Sequence, residues 1–330
     1  MSQSNVAIVT TVRAPTADLG PWIYWHKHIG IERFYIFFDA KPEPGRKPFS
    51  EAGVRFIHVN KALQKRMAKD DFQKTYLPFA GDWEKPAASP DELTARQLCV
   101  VQAGLEMARS DGVPWLLHID GDELFYPPNS DAQQHFNSLS QLGIGYVIYD
   151  NHEGLCEHTA VKEPFSEITL FTKNPRGIDP SALDEALPYF QDRGGYFLAY
   201  ANGKAAVQTR RGTLPAGAHG FHLPLHYGLG RARFLSPAIL HYPYSNFESY
   251  WRKVTRVRSY SEQMLLGAPW NPPLFEVASV RLAQVGAEAA ARLFFERATV
   301  LKNKANRQKW LKTGVLTRIT DVANVVSARE

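Results

Sequence analysis

The sequence predicts an α/β fold in which a sheet is flanked by helices and followed by a helical C-terminal extension. Short apolar runs alternate with amphipathic segments over the first half of the chain, as in sheets with helices on their faces. The most apolar strand, Trp115–Ile119, directly follows an amphipathic helix at Leu93–Arg109. Towards the end of the chain, the apolar residues recur mainly at helical spacing. We therefore expect a main domain over residues 1–260 and an extension over residues 261–330.

The N-terminal elements follow from periodicity and from breaker residues. Val6–Val12 and Phe34–Phe38 are β-branched or aromatic runs, which predicts buried strands. Between them, Leu19–His28 has apolar residues at helical spacing, and Gly30 is placed to end that helix. Val54–Val59 predicts a third strand. Strands joined through helices indicate parallel pairing.

The later elements are predicted in the same way. Tyr146–Tyr149 and Glu167–Phe171 have the composition of strands. Residues 246–260 and 274–301 have helical spacing, and the second of these segments is rich in alanine.

Composition excludes several classes of protein. The chain has 330 residues, of which 44% are hydrophobic and 22% charged, so it can bury a full core. Its two cysteines, Cys99 and Cys156, lie outside any CxxC motif, which excludes a disulfide framework or a cysteine-based zinc site. No run reaches the roughly 18 apolar residues of a membrane span, and the first residues lack the pattern of a secretion signal. We therefore expect a cytoplasmic protein.

The net charge of +5 is unevenly distributed. Residues 251–330 contain 14 Lys and Arg against 6 Asp and Glu, so they carry +8 and the preceding 250 residues carry −3. The basic character belongs to the tail, and the main body gives little sign of binding nucleic acid.

Paired carboxylates follow the strand Trp115–Ile119. Asp120 and Asp122 lie at its carboxyl end, where α/β sheets bind their ligands. Alternate residues in extended or turn backbone point to the same side, so the two carboxylates can meet one divalent cation. Mg²⁺ and Mn²⁺ prefer such oxygen ligands and keep positions for substrate phosphates. The alternative is ordinary turn chemistry, since Asp-Gly-Asp is also a common turn sequence.

Three segments together resemble one group of enzymes. Trp115–Phe125, with the sequence WLLHIDGDELF, resembles the DxD segment of GT-A glycosyltransferases in the family 2-like and family 92-like group. Ile8–Asp39 and Ile239–Lys253 are similar to two further segments of that group, and the three occur in the same order. The resemblance covers about residues 6–255.

The resemblance implies a GT-A fold, which is a Rossmann-like mixed sheet flanked by helices. It also implies a nucleotide-diphosphate sugar as the donor, with a UDP-sugar favoured. A divalent cation, Mn²⁺ or Mg²⁺, would bridge the diphosphate. By position in the motifs, Asp39 would contact the base or ribose, Asp120 the ribose or the metal, and Asp122 the metal. The acceptor would be a hydroxyl group of a glycan or glycolipid.

Basic residues and histidines supply further candidates. The resemblance nominates His241, and second His219, to complete the metal shell; the alternative is that they are hydrogen-bonded loop histidines. Arg13 and Lys204 are predicted to bind the donor. Arg210-Arg211 could also reach diphosphate oxygens, or could form a solvated turn.

An inverting transfer needs a general base for the acceptor hydroxyl. The strand Tyr146–Tyr149 is followed by Asp150 and Glu153, which we expect on the acceptor side. Glu153 is the first candidate and Asp150 the second.

Two segments leave their role open. Residues 302–320 contain six basic residues and no acidic one, with apolar residues every four positions, which predicts a basic amphipathic helix. It could lie on an anionic membrane surface or pack against the catalytic domain. The aromatic and Pro-rich loop Tyr76–Trp83 could stack on a sugar or close over the site, or simply pack.

The sequence therefore predicts a metal-dependent glycosyltransferase. A nucleotidyl or sugar-phosphate transferase would need a basic triphosphate site near the first strand, where only Arg13 lies. A non-catalytic sugar- or membrane-binding module on the same fold is the alternative from another class.

Overall fold

The computed structural model describes residues 5–12, 19–38, 51–83, 85, 87–261 and 273–329. The strands are β1 (Val6–Val12), β2 (Arg33–Phe38), β3 (Val54–His58), β4 (Trp115–His118), β5 (Glu123–Tyr126), β6 (Ile144–Leu155), β7 (Leu170–Thr172), β8 (Lys204–Gln208), β9 (Leu214–Pro215), β10 (Phe221–His222), β11 (Gly230–His241) and β12 (Leu316–Arg318). The helices are α1 (Gly20–His28), α2 (Lys61–Met67), α3 (Asp71–Tyr76), α4 (Pro90–Ser110), α5 (Ala132–Gln141), α6 (Pro164–Glu167), α7 (Pro180–Gln191), α8 (Phe247–Arg256), α9 (Leu274–Gln284), α10 (Glu288–Thr299), α11 (Lys304–Lys312) and α12 (Asp321–Ser327).

The chain forms two compact units. The first consists of residues 1–150 and 203–238, and the second of residues 151–202 and 239–330. The boundary that the sequence suggests at residue 260 falls inside the second unit.

The first unit contains a mixed sheet, as predicted. Its strand order is β6-β8-β4-β1-β2-β3. Strands β4, β1, β2 and β3 are parallel, whereas β8 is antiparallel to both β4 and β6. The carboxyl ends of the parallel strands consequently lie at one edge, which is where ligands bind in such sheets.

Helix α4 covers one face of this sheet. The Ser89 side chain caps it by accepting a hydrogen bond from the Glu92 amide, and Pro90 occupies its first turn. Its apolar face packs with β1 so closely that a β-carbon at Gly104 would lie 2.7 Å from Val9 Cγ2. This close contact fixes the helix against the strand that leads to the ligand edge.

The second unit has its own ladder and helical core. The end of β6 pairs with β7, and β7 pairs with β12, both antiparallel. Helices α8, α9 and α10 meet around the buried rings of Tyr250, Phe275 and Phe295.

Several predicted elements need correction. Strand β6 continues to Leu155, so Asp150 and Glu153 lie inside a strand and not after one. Residues 164–167 form α6, so the strand predicted at Glu167–Phe171 is shorter and begins later, as β7. The helix predicted over residues 274–301 is two helices, separated by a turn that includes Gly286.

The tail is not one amphipathic helix, and that prediction is wrong. Helix α11 ends before Gly314, whose φ of +74° favours glycine, and the chain then forms β12 and α12. Trp310, Val315 and Leu316 are buried in the second unit. The burial of Trp310 and Val315 agrees with the packing alternative, and a membrane contact stays a prediction. Within the described ranges, no helix is both long and apolar enough to cross a bilayer.

Each unit contains one buried thiol. Cys99 in the first unit is 0% exposed and Cys156 in the second is 1% exposed. Burial raises the pKa of both thiols to about 12. Both side chains therefore stay protonated and unreactive in the folded protein.

Candidate functional site

The Asp-x-Asp motif forms a tight turn between β4 and β5, at the ligand edge of the first unit. The Glu123 amide donates to the Asp120 carbonyl at 3.1 Å. In return, Glu123 Oε2 accepts from the Asp120 amide at 2.7 Å. Glu123 thus closes the turn from both directions, and Asp122 lies within it, partly exposed.

Helix α1 holds the strand that leaves this turn. Trp22 Nε1 donates to the Glu123 carbonyl at 2.7 Å, and Trp25 Nε1 donates to the Phe125 carbonyl at 2.9 Å. His26 Nε2 accepts from the Phe125 amide at 3.1 Å, and burial keeps the ring neutral by lowering its pKa to about 3. The sequence pattern does not predict this role for the three side chains, although two indole donors and a histidine on one helix are consistent with it.

A buried lysine lies against the turn. Lys204, at the start of β8, places Nζ 2.6 Å from Asp120 Oδ2 and 3.5 Å from Glu123 Oε2. The Lys204 and Glu123 side chains are 1% and 0% exposed, and that of Asp120 is 29% exposed. Burial alone would lower the lysine pKa, but the two carboxylates hold it above its ordinary value.

The same ion pair sets the charge of both carboxylates. Burial opposes ionisation of Asp120, yet the Lys204 ammonium holds the pKa of that carboxyl well below its usual range. Burial raises the pKa of Glu123, and the lysine only partly offsets this. The structure therefore brings together Asp120 and Lys204, two residues predicted to bind the donor, and makes them partners of each other.

His219 joins the same cluster through Gly203. Its Nδ1 donates to the Gly203 carbonyl at 2.8 Å, which makes Nε2 the lone-pair nitrogen. Burial lowers the His219 pKa to about 4, so the ring is neutral at pH 7. A histidine oriented by a backbone carbonyl has the form that metal-binding histidines take.

Two buried polar atoms beside the turn lack hydrogen-bond partners within the described part of the chain. They are Glu123 Oε1 and His118 Nε2. Burial, with a smaller effect of Lys204, lowers the His118 pKa to about 3. A buried polar atom without a partner in the protein can be satisfied by a water molecule, an ion or a ligand.

The candidate base residues are both buried. Asp150 is 1% exposed and accepts from Arg233 Nε at 2.8 Å in the first unit. Glu153 lies in the second unit, where its two oxygens accept from the amides of Leu198 and Ala199 at 2.6 and 2.9 Å. Burial raises the Glu153 pKa to about 7. Their role as base stays a prediction.

The remaining predicted residues are placed as follows. Arg13 and Asp39 lie outside the described residues. His241 belongs to the second unit, is 4% exposed and has its ring 4.9 Å from that of Tyr200. Across the described ranges, no group of three or more His, Cys, Asp and Glu side chains is arranged to hold a metal ion.

Gly203 supports the cluster from the backbone. Its φ is +77°, and a β-carbon there would lie 2.1 Å from the Tyr149 carbonyl oxygen. We expect Gly203→Ala to lower the free energy of unfolding by about 3 kcal/mol, because strain and a backbone clash coincide. Urea denaturation followed by fluorescence measures this change.

Gly217→Ala is the matched control for that prediction. Gly217 has a φ of +70°, but a β-carbon would have no atom within 4 Å among the described residues. Gly217→Ala should lower the free energy of unfolding by about 1 kcal/mol, from backbone strain alone. Equal losses in the two variants would contradict the predicted clash.

The chain is similar in sequence to two known glycosyltransferase-like proteins. No model of a known protein family matches the chain. One glycosyltransferase-like protein of Arabidopsis thaliana is 28% identical over 325 residues, which are 96% of this chain and 62% of that protein. A second is 34% identical over 253 residues, or 74% of this chain and 54% of that protein. The chain thus spans little more than half the length of these curated relatives.

A solved structure was also compared. It is core-mannan synthase A from Aspergillus fumigatus in its Mn/GDP form, with 10% identity, and the match covers 63% of this chain and 60% of that one. The TM-score is 0.27, too low to support an inference about fold or function.

Proposed function

We propose that this protein is a metal-dependent glycosyltransferase that moves a sugar from a nucleotide-diphosphate donor, with a UDP-sugar favoured, to a hydroxyl group of a glycan or glycolipid. The observation that carries the proposal is the Asp-x-Asp turn at the ligand edge of the first unit, with Asp122 partly exposed beside the Lys204–Asp120 ion pair. The glycosyltransferase-like relatives support the same class of enzyme.

The side chains at this turn fit a hard divalent cation, Mn²⁺ or Mg²⁺. Such a cation commonly uses one or two protein carboxylates and takes its other ligands from water and substrate phosphates. Asp122 and Asp120 supply two carboxylates of that kind, and the neutral imidazole of His219 is proposed as a further ligand. Bound there, the cation would neutralise the diphosphate leaving group.

The chain's own residues would share the remaining work. Asp122 would hold the cation, while Asp120, fixed by Lys204, would face the ribose or the cation. Arg13 and Asp39 are proposed for the donor, and His241 as a further metal ligand. Asp150 or Glu153 would accept the proton of the acceptor hydroxyl.

The test is calorimetric titration of UDP, GDP and their sugars into the protein with Mn²⁺ or with EDTA, repeated on Asp122→Asn. We expect one nucleotide to bind only with Mn²⁺, and the substitution to weaken binding by about tenfold or more because it removes an anionic metal ligand. Asp184→Asn, an exposed aspartate in α7, is the matched control.

Each outcome separates the alternatives. Metal-dependent binding without sugar transfer would favour the non-catalytic binding module. Preference for a nucleoside triphosphate would favour a nucleotidyl transferase. Binding of no nucleotide by the folded protein would reject the proposed function.

A further inference from the structure

One stretch of the first unit is basic and has no acidic residue. Residues 203–238 contain five Lys and Arg and no Asp or Glu. Lys204 and Arg233 are paired with the carboxylates of Asp120 and Asp150. The other three, Arg210, Arg211 and Arg231, are exposed and form no ion pair with any residue that the structure describes. We call these three arginines the basic surface.

These three arginines differ from exposed arginines that are held by a neighbouring acid. In the second unit, for example, Arg297 pairs with Asp192, and Arg318 makes a two-pronged contact with Glu157. The planar guanidinium fork matches the geometry of a carboxylate. The basic surface therefore leaves three guanidinium groups available to an external anion.

Two of these groups are held in place by aromatic rings. The Arg210 guanidinium lies 5.9 Å from the centre of the Tyr227 ring, and its Nε donates to Gln208 Oε1 at 3.0 Å. The Arg231 guanidinium lies 5.5 Å from the centre of the Tyr146 ring. Stacking limits the freedom of each side chain, so less entropy is lost when an anion binds.

A cleft of about 450 Å³ adjoins the basic surface. Its lining includes two arginines, Arg109 and Arg210, the hydroxyl side chains of Ser140 and Thr209, and the apolar side chain of Leu229. The volume is within the range of small-ligand sites. A mixture of cation, hydroxyl and apolar groups suits a sugar ring that carries an acid group.

The cleft is separate from the carboxylate turn. Lys204 and Gln208 are the two ends of β8, a span of about 13 Å at the rise of a β-strand. Lys204 meets the Asp-x-Asp turn, whereas Gln208 and Arg210 line the cleft at the other end. A ligand in the cleft would therefore not occupy the donor site.

We infer that the basic surface and its cleft bind a carboxylate-bearing glycan chain. Planar guanidinium groups pair with carboxylates through two parallel hydrogen bonds, and the cleft offers one sugar-sized compartment beside them. Three guanidinium groups are fewer than the roughly six to ten phosphate contacts through which many proteins hold DNA, so an acidic glycan is the better match. This goes beyond the proposed function and requires no sugar transfer.

The test measures binding of a fluorescent oligogalacturonate to the full chain by anisotropy, at low and at raised salt. A neutral maltooligosaccharide of the same length is the reference probe. We expect Arg210→Gln/Arg211→Gln/Arg231→Gln to weaken oligogalacturonate binding by about tenfold or more. Lys302→Gln/Lys304→Gln/Lys312→Gln removes the same charge from exposed lysines of the second unit and should leave binding within about twofold of the unmodified chain.

Four outcomes of this binding experiment would count against an acidic-glycan site. Equal losses in both triple variants, equal binding of the neutral probe, or no binding of oligogalacturonate would overturn the inference. Tighter binding of a uridine oligonucleotide with the same number of charges would assign the surface to nucleic acid and also overturn it. Asp122→Asn should bind oligogalacturonate like the unmodified chain, so this inference and the proposed function fail independently.

Discussion

Replacing Lys204 by Met is expected to lower the free energy of unfolding by about 3–5 kcal/mol, because the substitution leaves the charge on Asp120 and the buried Glu123 side chain without their cation. Methionine keeps most of the volume of the lysine chain, so the loss reports charge and not packing. Urea denaturation measures the change. An unaltered unfolding free energy would show that the ion pair contributes nothing net.

The same variant should bind Mn²⁺ more tightly when no nucleotide is present. Lys204 occupies Asp120 Oδ2 in the native protein and lies 3.5 Å from Glu123 Oε2. Without that ammonium, Asp120 Oδ2 becomes available to the metal ion, and the turn loses one positive charge. Lys204→Arg keeps the charge and should leave Mn²⁺ affinity low. Calorimetric titration of the two variants separates a role in positioning Asp120 from simple loss of stability.

Replacing Arg96 by Met should also cost about 3–5 kcal/mol of unfolding free energy. The side chain is 0% exposed on α4, and it donates to the carbonyls of Ala80, Asp82 and Lys85 at 2.8 to 2.9 Å and to the Glu92 carboxylate. Its removal leaves the buried Ala80 carbonyl, the partly buried carbonyls of Asp82 and Lys85 and the Glu92 carboxylate without this donor. Urea denaturation again gives the change in free energy.

The loss of stability in Arg96→Met should be centred on the aromatic loop at residues 76–83. Arg96 lies 5.4 Å from the ring of Trp83, which is 3% exposed, while Phe79 is 66% exposed. Hydrogen exchange of peptides containing Ala80 and Trp83 should speed up in Arg96→Met more than in Arg96→Lys. Uniform acceleration across the first unit would contradict a local role. The burial of the Trp83 ring favours packing as the role of this side chain, whereas the Phe79 ring remains exposed to solvent.

The first unit was largely predictable because its strands are apolar runs with clear breakers. β1, β2 and β4 coincide with the expected segments, and the turn after β4 is where the carboxylate pattern indicated. The burial of Lys204 beside this turn was not predictable. Lys204 is 84 residues away from Asp120, and no local sequence pattern indicates that the two side chains pair.

Predictions from periodicity failed where tertiary contacts override local preference. β6 continues through Asp150 and Glu153, two charged residues that would end a strand by composition, because Arg233 and the amides of Leu198 and Ala199 satisfy them. The prediction of a single helix in the tail fails for a related reason. The apolar residues of the tail have helical spacing, but residues 316–318 pair with β7 as strand β12.

The two thiols provide a pair of internal reporters. Cys99 and Cys156 are buried one in each unit, so a thiol reagent reaches either only after local opening of its surroundings. Pulse labelling followed by mass spectrometry would therefore give an opening free energy for each unit in a single sample, without introducing a probe. Cys99 lies one helical turn beyond Arg96 on α4, and its labelling should follow the stability of that helix while the labelling of Cys156 supplies the internal standard.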